Sequence, residues 1–320
     1  MTLDTDILLD RRRLKRRLTF WRVVAIAAIV AVAALAASGG GESGFTGLEG
    51  SQIARVTISG FIGDSRPRHE LLVKLRKNKN VKAVIVSIDS PGGTTAGGEA
   101  LYEDLRALAQ EKPVAAVFRT AATSAAYLGG IATDFIVARG NTITGSVGVI
   151  FQWAEVSDLL SKLGIKVDEV RSGPLKAQPS PFTPTDDQAK QLTQELVKES
   201  QIWFVGLVAE RRKAAVPSLE EIKTGRIYTG REALKIGLID AIGDEQTAIK
   251  WFTDVRHVEA DLHVRDWKPE TSSPLGVFSS SISSLAAKIG LGSLLDQNIL
   301  DGIELLKDRP LDGLFSIWHP

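Results

Sequence analysis

Between residues 51 and 258, short runs of apolar and often β-branched residues alternate with segments whose leucines recur at helical spacing. Ile53 to Ile58 alternates as a half-buried strand does. Val81 to Ile88 is almost continuously apolar, which marks a central strand covered on both faces. Val114 to Phe118, Phe135 to Ala138, Ser146 to Ile150 and Ile165 to Arg171 read as further short strands. Helices are predicted from His69 to Lys77, with Leu71, Leu72 and Leu75 on one side, and from Gly97 to Lys112, with Leu101, Leu105 and Leu108 in a stripe stopped by Pro113. Glu155 to Leu163 forms another, ended by Gly164. A long one runs to about Lys213 from a capping box at Thr185 and Gln188. Shorter helices follow at Ser218 to Ile222, Arg231 to Ile236 and Asp244 to Phe252. This alternation predicts one α/β domain with a mostly parallel sheet, and no internal repeat is visible. Between Ser172 and Pro184, four prolines forbid regular structure.

The ends of the chain depart from that pattern. Arg11, Arg12, Arg13, Lys15, Arg16 and Arg17 precede Phe20, Trp21 and an apolar run from Val23 to Ala37. As a helix, residues 20–37 span about 27 Å, enough to cross a bilayer core if Arg22 snorkels. The expected order is a cytoplasmic basic segment (1–19), a transmembrane anchor (20–37), a flexible Gly/Ser linker (38–50), the folded domain (51–258) and a tail (259–320). A cleaved signal segment is the competing reading, because Ala34-Leu35-Ala36 resembles a small-residue cleavage site. Basic residues stay on the cytoplasmic side, so the domain is expected outside the cytoplasm, with a single pass through the inner membrane. In the tail, Val277, Phe278, Ile282, Leu285, Ile289, Leu294 and Leu295 are loosely amphipathic, which suits a docked tail or a helix for a partner or membrane surface.

Composition narrows the function classes. With 44% hydrophobic residues, 24% charged residues and net charge +1, the chain can bury a core and has no electrostatic footprint for nucleic acid. Zero cysteines exclude disulfides, thiolate ligands and a cysteine nucleophile.

Two stretches carry candidate chemistry: Ile88-Asp89-Ser90-Pro91-Gly92-Gly93 and Ala121-Ala122-Thr123-Ser124-Ala125-Ala126-Tyr127. Both are placed at strand-to-helix turns, where α/β sheets build their binding crevices. Adjacent glycines leave backbone N–H groups unshielded, as an oxyanion hole requires, and a serine at the neighbouring turn suits a nucleophile. Taken singly, Ser124 reads rather as a helix N-cap and Pro91-Gly92-Gly93 rather as an ordinary tight turn; their conjunction is what favours a site. A serine needs a base, and the four histidines, His69, His257, His263 and His319, lie in an early polar helix or at the domain's edge and beyond, which disfavours a Ser-His-Asp triad. Lys176, flanked by Gly173, Pro174, Leu175, Ala177 and Pro179 with no acid nearby, is the favoured alternative; a solvated loop lysine is the competing reading. Such a base needs its pKa brought from about 10.4 to about 7–8, which apolar surroundings can supply.

Asp89-Ser90-Pro91-Gly92-Gly93, the Ser124 turn ending in Tyr127, Thr142-Ile143-Thr144-Gly145-Ser146-Val147-Gly148-Val149 and Ser172-Gly173-Pro174-Leu175-Lys176 occur in the order seen in the signal peptide peptidase A family, the S49 Ser-Lys serine proteases. The chain resembles the short bacterial form of that family over about residues 51 to 253. The resemblance implies a ClpP/crotonase-like spiral of strand-helix units. It also implies Ser124 as nucleophile, Lys176 as general base, Ser146 as the residue orienting the lysine, and an oxyanion hole from the amides of Gly92 or Gly93 with Ala125. It implies an anchored endopeptidase that degrades signal-peptide remnants and other apolar or unfolded polypeptides, with no metal or cofactor, assembled as a homo-oligomer. Extended substrates are expected to pair with strand edges near the two turns. The family's usual Ser-Gly-Gly-Tyr is replaced here by Ser124-Ala125-Ala126-Tyr127. That departure keeps open an inactive peptide-binding scaffold of the same fold; a crotonase-like acyl-CoA enzyme is a third reading.

Overall fold

Isoleucines and valines at alternate positions of the predicted strands pack on two different sets of helices, and this arrangement generates the sheet. A computed structural model describes residues 17, 20–22, 50–269 and 315–317. The expected anchor (beyond Phe20–Arg22), the linker and most of the tail lie outside the described residues. Among the described residues no helix is long and apolar enough to cross a membrane. The described residues 50–269 and 315–317 belong to one compact unit.

In chain order the elements are β1 (Gln52–Ile62), α1 (Arg66–Lys77), β2 (Val81–Thr94), α2 (Thr95–Ala109), β3 (Val114–Thr123), α3 (Ala125–Ile131), β4 (Phe135–Ala138) and β5 (Ile143–Gly145). Then come α4 (Ser157–Lys162), α5 (Asp187–Arg211), a 3-10 turn (Lys213–Ser218), α6 (Leu219–Ile222), β6 (Ile227–Thr229), α7 (Gly230–Lys235), β7 (Ala241–Ile242), α8 (Glu245–Arg256), β8 (His263–Trp267) and β9 (Phe315–Ile317). The strands form one sheet of order β6-β5-β3-β2-β1-β8, with β4 beside β3 and β7, and β9 beside β2. Pairing is parallel except between β5 and β6 and between β2 and β9.

Side chains alternate across a strand, so Val84, Val86 and Ile88 face one way with Val56, Ile58, Ala116 and Phe118. They meet Leu72, Leu75, Leu101, Leu105, Tyr127 and Leu128 of α1, α2 and α3. Ala83 and Ile85 face the other way with Ile53, Ala115 and Val117, against Ala248 and Phe252 of α8. Coverage on both faces explains the unbroken apolar run of β2. Past α8 the second face turns polar, where Thr57, Ser59, Ser87, Asp89 and Arg119 line an open cavity of about 490 Å³.

Several expectations are corrected. β2 continues to Thr94 and β3 to Thr123, so Pro91-Gly92-Gly93 lies in a strand and not in a turn. Gly92 and Gly93 pair with Phe61 and Ile62 of β1. A Cβ at Gly93 would sit 1.9 Å from the Ile62 carbonyl oxygen, an approach only glycine permits. Ile165 to Arg171 forms no strand, since no neighbour supplies a ladder for it, and the expected Ser146 to Ile150 strand is replaced by β5 just before it. The cap of α5 is Asp186, whose carboxylate accepts from the Ala189 N–H at 2.6 Å, and not Thr185. The sheet also runs past residue 258. β8 pairs with β1, where Arg55 clamps Asp266 bidentately at 2.5 and 3.0 Å and reaches Glu245 of α8 at 3.0 Å.

Candidate active site

Three strand ends converge on the candidate nucleophile. β2 and β3 pair from Val84 opposite Val114 to Ile88 opposite Phe118, shift register there and pair again at Ser90 opposite Ala122, and β3 then pairs with β5 through Thr123 opposite Gly145. The Thr123 hydroxyl donates to the Pro91 carbonyl at 3.0 Å, which ties the β3 end to the glycine-bearing end of β2. Asp89 accepts from the Ala121 N–H at 3.1 Å, a second tie between the same strands. The Ser124 N–H donates to the Gly145 carbonyl at 2.9 Å, so Ser124 and Ser146 stand at adjacent strand ends.

Ser124 is the residue where β3 breaks into α3. Its backbone sits at φ 58° and ψ −121°, in territory that glycine enters freely and other residues enter at a cost of about 1–3 kcal/mol. Its side chain makes no capping hydrogen bond to α3, so the N-cap reading does not account for it. The residue is fully buried. Backbone strain at a buried serine, where β3 gives way to α3, is compatible with the nucleophile expected at this position.

Ala125 and Ala126 are the first two residues of α3 and are helical, so they have no need of glycine's freedom. The Ala125 N–H belongs to the first turn, where no intrahelical carbonyl accepts it. The Ala125 methyl is accommodated by Gly98 of α2, where a Cβ would meet the Ala125 Cβ at 2.9 Å. The Gly92 N–H is engaged by the Ser90 hydroxyl oxygen at 3.1 Å, while that hydroxyl donates to the Gly60 carbonyl at 2.6 Å. Gly93 is paired with Ile62 of β1 on one side and Ser316 of β9 on the other.

Ser146 follows Gly145 (φ 85°) at φ 52°, and its N–H donates to the Arg226 carbonyl at 2.9 Å. Gln201 of α5 braces this loop, donating to the Val147 carbonyl at 3.2 Å and to the Lys223 carbonyl at 3.0 Å. Lys176 sits in a turn closed by its own N–H to the Gly173 carbonyl at 3.2 Å. It is exposed, so the apolar surroundings expected from its sequence neighbours are not formed among the described residues. His69 pairs with Asp104 at 2.6 Å, His257 ends α8 and His263 lies in β8.

Sequence reasoning missed Thr123, Gln201 and the brace formed by Ser90. Thr123 stands beside the candidate nucleophile, and a hydroxyl at a strand end is the one signal that could have singled it out.

The model of peptidase family S49 matches residues 106–259, a span that holds Ser124, Ser146 and Lys176 and begins after Gly93. A Synechocystis sp. protein provisionally named as a protease is 32% identical over 246 residues, covering 75% of this chain and 88% of the relative. A Methanocaldococcus jannaschii protein with the same provisional name is 35% identical over 195 residues, or 61% of this chain; the chain spans 63% of that relative's length. The chloroplastic serine protease SPPA of Arabidopsis thaliana is 29% identical over 247 residues, which is 75% of this chain and 36% of that one. The chain belongs to peptidase family S49. Its class is that of the serine peptidases.

Proposed function

We propose that this protein is a membrane-anchored endopeptidase with a Ser-Lys dyad that degrades signal-peptide remnants and other apolar, unfolded peptides outside the cytoplasm. The observation that carries the reading is the strained, buried Ser124 at the junction of β2, β3 and β5. In this mechanism the Ser124 hydroxyl attacks the peptide carbonyl carbon while its proton passes to the Lys176 amine. The resulting oxyanion is held by the N–H groups of Gly93 and Ala125, and the ammonium returns the proton to the departing amine. Water, deprotonated by the same amine, then releases the acyl group from Ser124. Ser146 orients the amine without the charge that a carboxylate would bring. No step calls for a metal or an organic cofactor.

The exposed position of Lys176 is accounted for by assembly. Residues 150–182 expose Ile150, Leu159, Leu163, Ile165, Val167, Val170 and Phe182, and α4 buries none of its residues. A second copy packed on this segment would bury these side chains and dry the lysine. The remaining expectations, a ClpP/crotonase-like spiral and a single-pass anchor at residues 20–37, belong to the same reading. The scaffold alternative loses its main support, because the alanine pair fits α3 without strain.

The test is cleavage of an unfolded apolar polypeptide by the full chain in detergent, beside Ser124→Ala and Lys176→Ala. Loss of cleavage in each folded variant supports the dyad. Cleavage that survives Lys176→Ala removes Lys176 as the base.

A further inference from the structure

β2 outruns its neighbour. Its last pair with β3 is Ser90 with Ala122, after which β3 turns away at Ser124, while β1 still covers Gly92 and Gly93 from the other side. A strand has two hydrogen-bonding edges, so residues 92–94 offer the β3-side edge to another chain segment. β9 takes that edge, antiparallel, with Gly92 opposite Ile317, Gly93 opposite Ser316 and Thr94 opposite Phe315. This is the edge tied to the candidate nucleophile by the Thr123 bond to Pro91. Ser124 is fully buried, yet a scissile carbonyl must approach to about 3 Å for attack. Something must move before a substrate can react.

We propose that the segment carrying Phe315–Ile317 is a resident occupant of the peptide-binding edge of β2 and competes with substrate for it. Extended substrates would add to a strand edge by the same main-chain pairing, so one edge cannot serve both strands at once. The 45 residues between Pro269 and Phe315 can span well over 100 Å, so the occupant can come from the same chain or a neighbouring copy. A tethered strand acts at a local concentration of about millimolar, and it raises KM for peptides while leaving kcat unchanged. The competition with substrate rests on the peptidase reading; the occupancy of the edge does not.

Alternate residues of a strand point their N–H groups to opposite sides. Of two full-length variants, Ser316→Pro and the double variant Phe315→Pro/Ile317→Pro, one must therefore remove N–H groups that face β2. That variant is expected to show a KM about three- to tenfold lower at unchanged kcat. A synthetic peptide of residues 311–320 is expected to restore the higher KM competitively. Equal KM values in all three proteins, or a peptide that does not compete, overturn the proposal. If none of the proteins cleaves peptides, the peptidase reading fails and hydrogen exchange decides occupancy alone. Backbone amides of Gly92 to Thr94 that exchange faster in one proline variant than in the wild type support it, and identical protection overturns it.

Discussion

The hydroxyl of Thr123 donates to the carbonyl of Pro91 across 3.0 Å, and through that bond the strand presenting Ser124 is fastened to the strand presenting Gly93. Ser124 and Gly93, the proposed nucleophile and oxyanion donor, are 31 residues apart in sequence, so their relative position depends on such ties. Thr123→Val keeps the volume, removes the donor and leaves a carbonyl with one partner fewer. The expected cost is about 1–2 kcal/mol in urea unfolding, with a fall in kcat larger than any rise in KM, and Thr123→Ser is expected to recover most of both. Unchanged stability and turnover in the valine variant would show that the strands hold their spacing without it.

Ser124 carries the backbone strain, and strain separates stability from activity. Ser124→Gly relieves the positive φ, whereas Ser124→Ala keeps it. Both variants are expected to be inactive, with the glycine variant the more stable of the two by about 1 kcal/mol despite the flexibility glycine adds to the unfolded chain. Equal melting curves would mean that the turn is not strained.

These two residues illustrate what could be read from the chain and what could not. The central strand β2 announced itself because it is covered on both faces, and the strand-to-helix junction at Ser124 was legible, whereas Ser146 entered only through the family resemblance and follows a strand where it was expected to begin one. Pro91-Gly92-Gly93 misled, since proline and glycine signal a turn locally, while here glycine serves the close approach of Ile62 across a continuing ladder. Ile165 to Arg171 has the alternation of a strand, but alternation cannot show whether a neighbour exists to pair with. Lys176 is flanked by apolar residues in sequence and is exposed in space, because sequence neighbours in an irregular segment are not packing neighbours. The role of Thr123 depends on which carbonyl its hydroxyl meets, a fact that only the register between β2 and β3 decides.

Gly98 and Ala125 form a matched pair. A methyl at position 98 would meet the Ala125 Cβ at 2.9 Å and Leu128 Cδ2 at 3.3 Å, both inside the packed contact of α2 with α3. Gly98→Ala is expected to destabilise by about 1–3 kcal/mol and to lower activity by displacing the first turn of α3. Ala125→Gly keeps the N–H and is expected to retain activity within a few-fold. In a double-mutant cycle the two changes should couple favourably by about 1 kcal/mol, because the second makes room for the first. Strict additivity would place the clash elsewhere.

Tyr127 couples the stability of the fold to alkaline pH. Its phenol is fully buried, donates to the Leu238 carbonyl at 2.9 Å and joins α3 to the segment after α7. Burial pushes its pKa well above the ordinary value, with Asp240 adding to the shift and Arg212 opposing it. A pKa raised on folding means that the fold favours the neutral phenol. The contribution is therefore complete below about pH 10, where the unfolded chain is also protonated, and it is lost as pH rises beyond that. Stability should fall by up to about 1.4 kcal/mol per pH unit for this one group above that point. Tyr102 and Tyr228 are also pushed up by burial and act with the same sign, so the informative quantity is a difference. Tyr127→Phe is expected to cost about 1 kcal/mol at neutral pH through the lost bond to Leu238, and to show a shallower decline between pH 10 and 11. Urea unfolding of both proteins at pH 7, 10 and 11 measures it. Parallel declines would mean that the Tyr127 phenol ionises in the folded protein as readily as in the unfolded chain.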